Sequence, residues 1–108
     1  MKSKSYAAFM LAGTLAITGA ARAETAPGLA LAQKQNCMSC HSVTRQFMGP
    51  SLRDVAAKYA SRSDAVHYLT RKIIEGSAGV WGPVPMPANT QVTQDEATTL
   101  ASWILTLK

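Results

Sequence analysis

Two cysteines occur in 108 residues. That is too few for a disulfide scaffold and enough for one local pair with a chemical job. Acidic residues are scarce, six against eleven basic, and the formal net charge is +5. A balance of that sign raises a nucleic-acid or membrane-surface reading, to be tested against where the charges lie. No strand pattern stands out, and past residue 23 there is no internal repeat, linker or low-complexity tract. The length admits one small domain and excludes a barrel, a large α/β enzyme or a two-domain architecture.

The opening segment reads as a secretory signal peptide. Lys2 and Lys4 form a positive start, an uncharged apolar stretch runs from Ala7 to Ala20, and Ala21-Arg22-Ala23 is a small-x-small cleavage site. The stretch is shorter than the ~20 residues that span a bilayer, and Gly13 and Gly19 dilute it. Residues 1–23 are therefore expected to be cleaved, leaving residues 24–108 as the working domain with no stable membrane insertion. Removing 23 of 108 residues leaves 85. Lys2, Lys4 and Arg22 leave with the signal while all six acids stay, so the net charge falls from +5 to +2. The remaining basic residues are scattered, and only Arg71-Lys72 forms a doublet. That pattern lacks the aromatic interleaving of a nucleic-acid face, so no nucleic-acid partner is expected. A domain of this size gains from a staple such as a metal or a large cofactor.

Cys37-Met38-Ser39-Cys40-His41 supplies the means. C-x-x-C-H is the attachment motif of c-type haem, in which each thiol joins one vinyl group and the adjacent histidine sits beneath the iron. The alternatives are weaker. A Cys37–Cys40 disulfide would close too short a loop to constrain much. A thioredoxin-like pair needs a βαβ context that the chain lacks. A zinc site needs a further ligand, and the other histidine, His67, stands alone.

Of the methionines after residue 23, Met38 lies between the two cysteines and Met48 lies seven residues past His41. Met86 stands 45 residues beyond His41 as Pro85-Met86-Pro87, in a Gly- and Pro-rich run. The prolines fix φ and forbid helix or central strand there, leaving a rigid loop that can present a thioether. Met86 is the expected distal ligand and His41 the proximal one, with both axial positions filled and no open site for a substrate. A haem protein with an open distal site, a peroxidase or gas sensor, is the rival reading.

The rest reads as short helices. Gly28–Gln35 leads into the motif. Ser51 with Asp54 starts a second helix, whose apolar face is Leu52, Val55, Ala56 and Tyr59. A third start is expected at Ser61 with Asp64, with Val66, Leu69, Ile73 and Ile74 at helical spacing and Gly76 as the stop. Residues 76–87 are loop by composition. Thr93 with Glu96 makes a capping box for the last helix, with Ala97, Leu100, Trp103, Ile104 and Leu107 as its apolar face.

Four stretches together resemble the small bacterial class I cytochromes c of the c-551 type: Asn36–His41, Met48–Tyr59, Gly76–Pro87 and Asp95–Trp103. The Trp-Gly-Pro-x-Pro-Met-Pro string is the most specific of them. The resemblance implies an all-α fold of four to five short helices around one covalently bound haem c. It implies His41 and Met86 as iron ligands, with the Pro50 carbonyl accepting the proximal imidazole N–H. It further implies Trp81 donating its indole N–H to a haem propionate. Lys72, with Arg71 beside it, stands where relatives carry a propionate-binding arginine, and a lysine there is a point charge without the guanidinium fork. Where relatives place an aromatic in the first helix, Leu29, Leu31 and Ala32 stand, so looser packing against Trp103 is expected. The implied function is that of a monomeric periplasmic one-electron carrier, not an enzyme. Its partners would be a membrane quinol-oxidising complex as donor and a terminal reductase or oxidase as acceptor.

Overall fold

The computed structural model describes residue 8, residues 10–15 and residues 27–108. The expected cleavage site at Ala21-Arg22-Ala23 lies outside the described residues. Within them the elements are α1 (Pro27–Lys34), a 3-10 turn at Cys37–Ser39, α2 (Leu52–Tyr59), α3 (Ala65–Glu75) and α4 (Gln94–Ile104). Among the described residues there is no β-strand, only an isolated antiparallel bridge between Ser77 and Met86. The fold is all-α, as expected. No helix among the described residues is long and apolar enough to cross a membrane.

Local chemistry accounts for most boundaries. Pro27 opens α1, where its missing N–H is no loss. The Ser51 hydroxyl accepts from the Asp54 N–H at 3.0 Å and caps α2. At α4 the capping box is reciprocal: Thr93 accepts from the Glu96 N–H, and Glu96 accepts from the Thr93 N–H. Gly76, at φ 75°, ends α3 in a conformation that favours glycine.

The start of α3 departs from expectation. The helix begins at Ala65, not near Ser61, and Asp64 makes no side-chain cap bond. Its carboxylate instead accepts from the Arg62 guanidinium on the exposed turn before the helix. Val66 is 38% exposed, off the buried face formed by Leu69 and Ile73.

α4 is the hub, packing against α1, α2 and α3. Ala97, Leu100, Ala101, Trp103 and Ile104 of α4 are buried together with Ala32 from α1, Val55 from α2 and Ile73 from α3. The α1–α4 contact corrects the expectation of loose packing against Trp103. Gly28 lies directly on the Trp103 indole, so close that a Cβ there would collide with Trp103 Cγ. Trp103 is 6% exposed. The missing side chain, not a bulky one, brings the two helices together.

Candidate haem site

The motif sits in a tight turn at the end of α1. Asn36 enters it in the left-handed conformation, φ 66°, which asparagine tolerates better than most residues. The Cys40 and His41 amides both donate to the Cys37 carbonyl, at 3.2 and 3.1 Å. Cys37, Cys40 and His41 are thereby held on one turn, each partly buried. No disulfide joins Cys37 to Cys40. Burial pushes the Cys37 thiol up from its ordinary value, the opposite of the lowered thiol of a redox-active C-x-x-C pair.

A second stretch of backbone locks onto this turn. The Gly49, Leu52 and Arg53 amides donate to the Cys40, Ser42 and Val43 carbonyls, at 2.8, 2.9 and 3.1 Å. This places the Pro50 carbonyl 2.8 Å from His41 Nδ1. A carbonyl can only accept, so Nδ1 carries a proton, and in the neutral imidazole Nε2 then keeps the free lone pair. Met48, on the same segment, is 60% exposed, with its sulfur 3.7 Å from Cys40 Sγ. Met38 packs partly buried against the core.

Met86 comes from the loop after α3. Ser77 and Met86 exchange two backbone hydrogen bonds, at 3.0 and 2.8 Å. Gly76 fits so closely under Met86 and Pro87 that a Cβ there would strike the Met86 carbonyl. Beyond Met86, the Asn89 side chain donates to the Ile73 carbonyl at 2.9 Å, and its backbone N–H donates to Ile74 at 3.1 Å. The loop leaves α3 and is stitched back onto its C-terminal end.

His41 and Met86 line the same cavity of about 310 Å³, with Cys40, Leu52, Val55, Leu69 and Ile73 also in its wall. A second cavity of about 240 Å³ adds Cys37 and shares Cys40, His41, Ile73, Met86 and Ile104. The two are halves of one slot. Protein interiors rarely contain voids much larger than a water molecule, so a slot of this size in so small a domain is a site for a large group. The donor set fits haem c: two thiols on one turn, an oriented imidazole and a thioether, around apolar walls.

The rim gathers Trp81 and Lys72, both lining the 310 Å³ cavity. Trp81 is 38% exposed, meets Tyr59 edge to face at 6.4 Å, and carries the Lys58 ammonium 4.8 Å above its ring. Lys72 lies 5.5 Å from the Tyr68 ring. Arg71, its neighbour, lines neither cavity and pairs with Glu75 on the exposed face at 3.8 Å. His67 lies on a separate surface cleft with Asp64 and Gln94.

Sequence reasoning missed Tyr59, Tyr68, Lys58 and Gly49 as site residues. Tyr59 reads from its spacing as part of an apolar face, and it does pack at 5.0 Å from Tyr68. Burial, with Tyr68 beside it, pushes the Tyr59 hydroxyl up to about 12. A cation near each aromatic of α2 and α3 is the signal that could have marked the rim.

Comparison with known proteins agrees with this geometry. The family model for cytochrome c matches residues 25–108. Cytochrome c-552 of Nitrosomonas europaea is 50% identical over 97 residues, covering 90% of each chain. Cytochrome c-551 of Pseudomonas aeruginosa is 40% identical over the full length of both. The crystal structure of wild-type Nitrosomonas europaea cytochrome c552 superimposes with a TM-score of 0.73 at 54% identity, covering 74% of this chain and 99% of that one. Fold and site together define a small all-α, mono-haem c-type electron carrier. The chain belongs to the cytochrome c family, and its cofactor is one covalently attached haem c with its iron, for which Cys37 and Cys40 fit the attachment motif.

Proposed function

We propose that this chain is a periplasmic one-electron carrier, not an enzyme, with His41 and Met86 as the axial ligands and both positions filled. The observation that carries this reading is the shared cavity: an imidazole with a free Nε2 and a proline-flanked thioether line one slot. Haem c, when bound, supplies the one-electron Fe(III)/Fe(II) couple. Cys37 and Cys40 hold it covalently, and the Pro50 carbonyl orients the His41 ring and strengthens it as a donor. The Met86 thioether and the apolar wall of Leu52, Val55, Leu69 and Ile73 disfavour added positive charge, which raises the potential. Trp81 would donate its indole N–H to a haem propionate, and Lys72 would offer that group a point charge without the guanidinium fork.

The signal peptide reading of residues 1–23 and the need to mature a c-type haem outside the cytoplasm support a periplasmic address. The domain works as a monomer and docks briefly over a small patch. Its donor is a membrane quinol-oxidising complex and its acceptor a terminal reductase or oxidase.

A redox titration with optical spectra, on haem-loaded protein expressed in the periplasm, tests the reading. Haem retained after denaturation and a thioether–iron charge-transfer band in the oxidised form are the expected results. Haem lost on denaturation would rule out covalent attachment. Retained haem without the band would favour the rival with an open distal position.

A further inference from the structure

Gly49 is not a glycine for the sake of its backbone. The glycines with positive φ among the described residues are Gly76, Gly79 and Gly82, and Gly49 is not one of them. What a side chain lacks at residue 49 is space. A Cβ there would lie 2.6 Å from His41 Cε1, 2.9 Å from Nδ1 and 3.2 Å from Nε2. At Gly79 and Gly82 a Cβ would meet nothing within 4 Å. The segment cannot step aside to make room. The Gly49 N–H donates to the Cys40 carbonyl at 2.8 Å, its carbonyl accepts from the Phe47 N–H at 3.2 Å, and the next residue holds His41 through the Pro50 carbonyl.

We infer that Gly49 is a positioning residue for His41: its bare Cα and the following Pro50 carbonyl form a two-sided seat that sets the rotation and tilt of the imidazole. The inference rests on His41 being the proximal ligand. Rotation about the Cβ–Cγ bond of histidine is broad and roughly two-fold, so the ring has no strong preference of its own and its neighbours must supply one. The hydrogen bond to Pro50 fixes the direction of Nδ1 but leaves the ring free to tilt about that bond. The Gly49 backbone, set against the ring face beside Cε1 and Nδ1, removes that freedom. The ring plane sets how the nitrogen donates to the metal, so a side chain at residue 49 reaches the redox centre through His41.

The first test needs no variant. In the reduced holoprotein, proton NMR is expected to show a strong dipolar contact between the Gly49 α-protons and the His41 ring proton on Cε1; its absence overturns the proposal. The same spectrum reads the ligand assignment separately. If the His41 ring protons lack the large ring-current displacement of an iron-bound imidazole, the assignment of His41 fails, whatever Gly49 does. The second test compares Gly49→Ala with Leu107→Ala, a buried core truncation outside both cavities. Gly49→Ala is expected to reorder the haem-methyl shifts of the oxidised protein while the Met86 charge-transfer band remains. It should also exchange the His41 Nδ1 proton about tenfold faster than Leu107→Ala does, as expected for a weakened hydrogen bond. Leu107→Ala is expected to lose stability with the methyl pattern unchanged. A Gly49→Ala protein that loses stability but keeps the wild-type methyl pattern and an exchange rate like that of Leu107→Ala overturns the inference. Should Gly49→Ala fail to mature, the wild-type contact decides.

Discussion

The two sides of the slot are built in different ways. The His41 side is local: the motif turn and the segment 49–53 lie within 17 residues of each other and are joined by three backbone hydrogen bonds and the His41–Pro50 bond. The Met86 side is a loop tied through its backbone only near its ends, at the Ser77–Met86 bridge and at Asn89 on the end of α3, with the Trp81 ring resting on Tyr59 between them. Between those ties Gly79, Val80, Trp81, Gly82 and Val84 are exposed. A segment with few buried contacts and exposed backbone opens at low free-energy cost. The difference teaches that the imidazole is fixed by the chain that carries it, while the thioether is kept in place by a few separable ties.

The largest expected effect comes from removing the weaker side altogether. Met86→Ala should abolish the thioether–iron charge-transfer band and lower the potential by an amount on the order of 0.2 V, within the span that axial ligands control. It should also admit carbon monoxide to the reduced iron. An unchanged potential would show that Met86 is not the ligand. Asn89→Ala is next. It removes the amide that donates to the Ile73 carbonyl, at a cost of about 1 kcal/mol. The comparison predicts that the loss is local: under denaturant the charge-transfer band should vanish well before helical circular dichroism does. Coincident transitions would mean that both sides unfold as one unit. A smaller effect is expected at the rim. Lys72→Gln should lower the potential by the equivalent of about 1 kcal/mol or less, because a screened positive charge beside the slot disfavours Fe(III). Arg71→Gln, whose side chain pairs with Glu75 on the exposed face, should leave it unchanged. Equal shifts in both would erase the distinction that the two positions show.

The same contrast governs what could be read from the sequence. Features written in neighbouring residues were legible: the Ser51 and Thr93 caps, the Gly76 stop, the C-x-x-C-H turn and the proline-flanked Met86. Features that depend on which surfaces meet were not. Tyr59 on α2 and Tyr68 on α3 meet, ring centroids 5.0 Å apart, only in the folded chain, and nothing in their spacing says so. Asp64 looked like part of a cap because it stands at cap spacing, but the neighbouring Arg62 takes its carboxylate. Gly28 and Gly49 were passed over for a different reason. Each matters through the side chain it lacks, against Trp103 and His41, and an absent atom leaves no periodicity to detect.

The smallest effect concerns what secures the His41 side to the rest of the molecule. Gln35, just before the motif, donates to the Glu96 carboxylate at 2.9 Å and so ties the turn to the start of α4. The Thr93 N–H, and then Gln35, hold the Glu96 carboxyl below its ordinary value of 4.5. A carboxyl depressed on folding contributes stability that is present above the unfolded value and is lost as the pH falls through the folded one. The protein should therefore lose a small increment of stability on acidification below about pH 4.5, and Glu96→Gln should flatten that part of the profile. The pair is only partly buried, so the increment is modest. Its location sharpens the comparison more than its size does. If the His41 side is held by its own backbone, Glu96→Gln should lower the melting temperature slightly and leave the haem-methyl shifts untouched. A methyl pattern that moves with this substitution would mean that the imidazole is steadied by α4 as well. The seat made by Gly49 and Pro50 would then not be sufficient by itself.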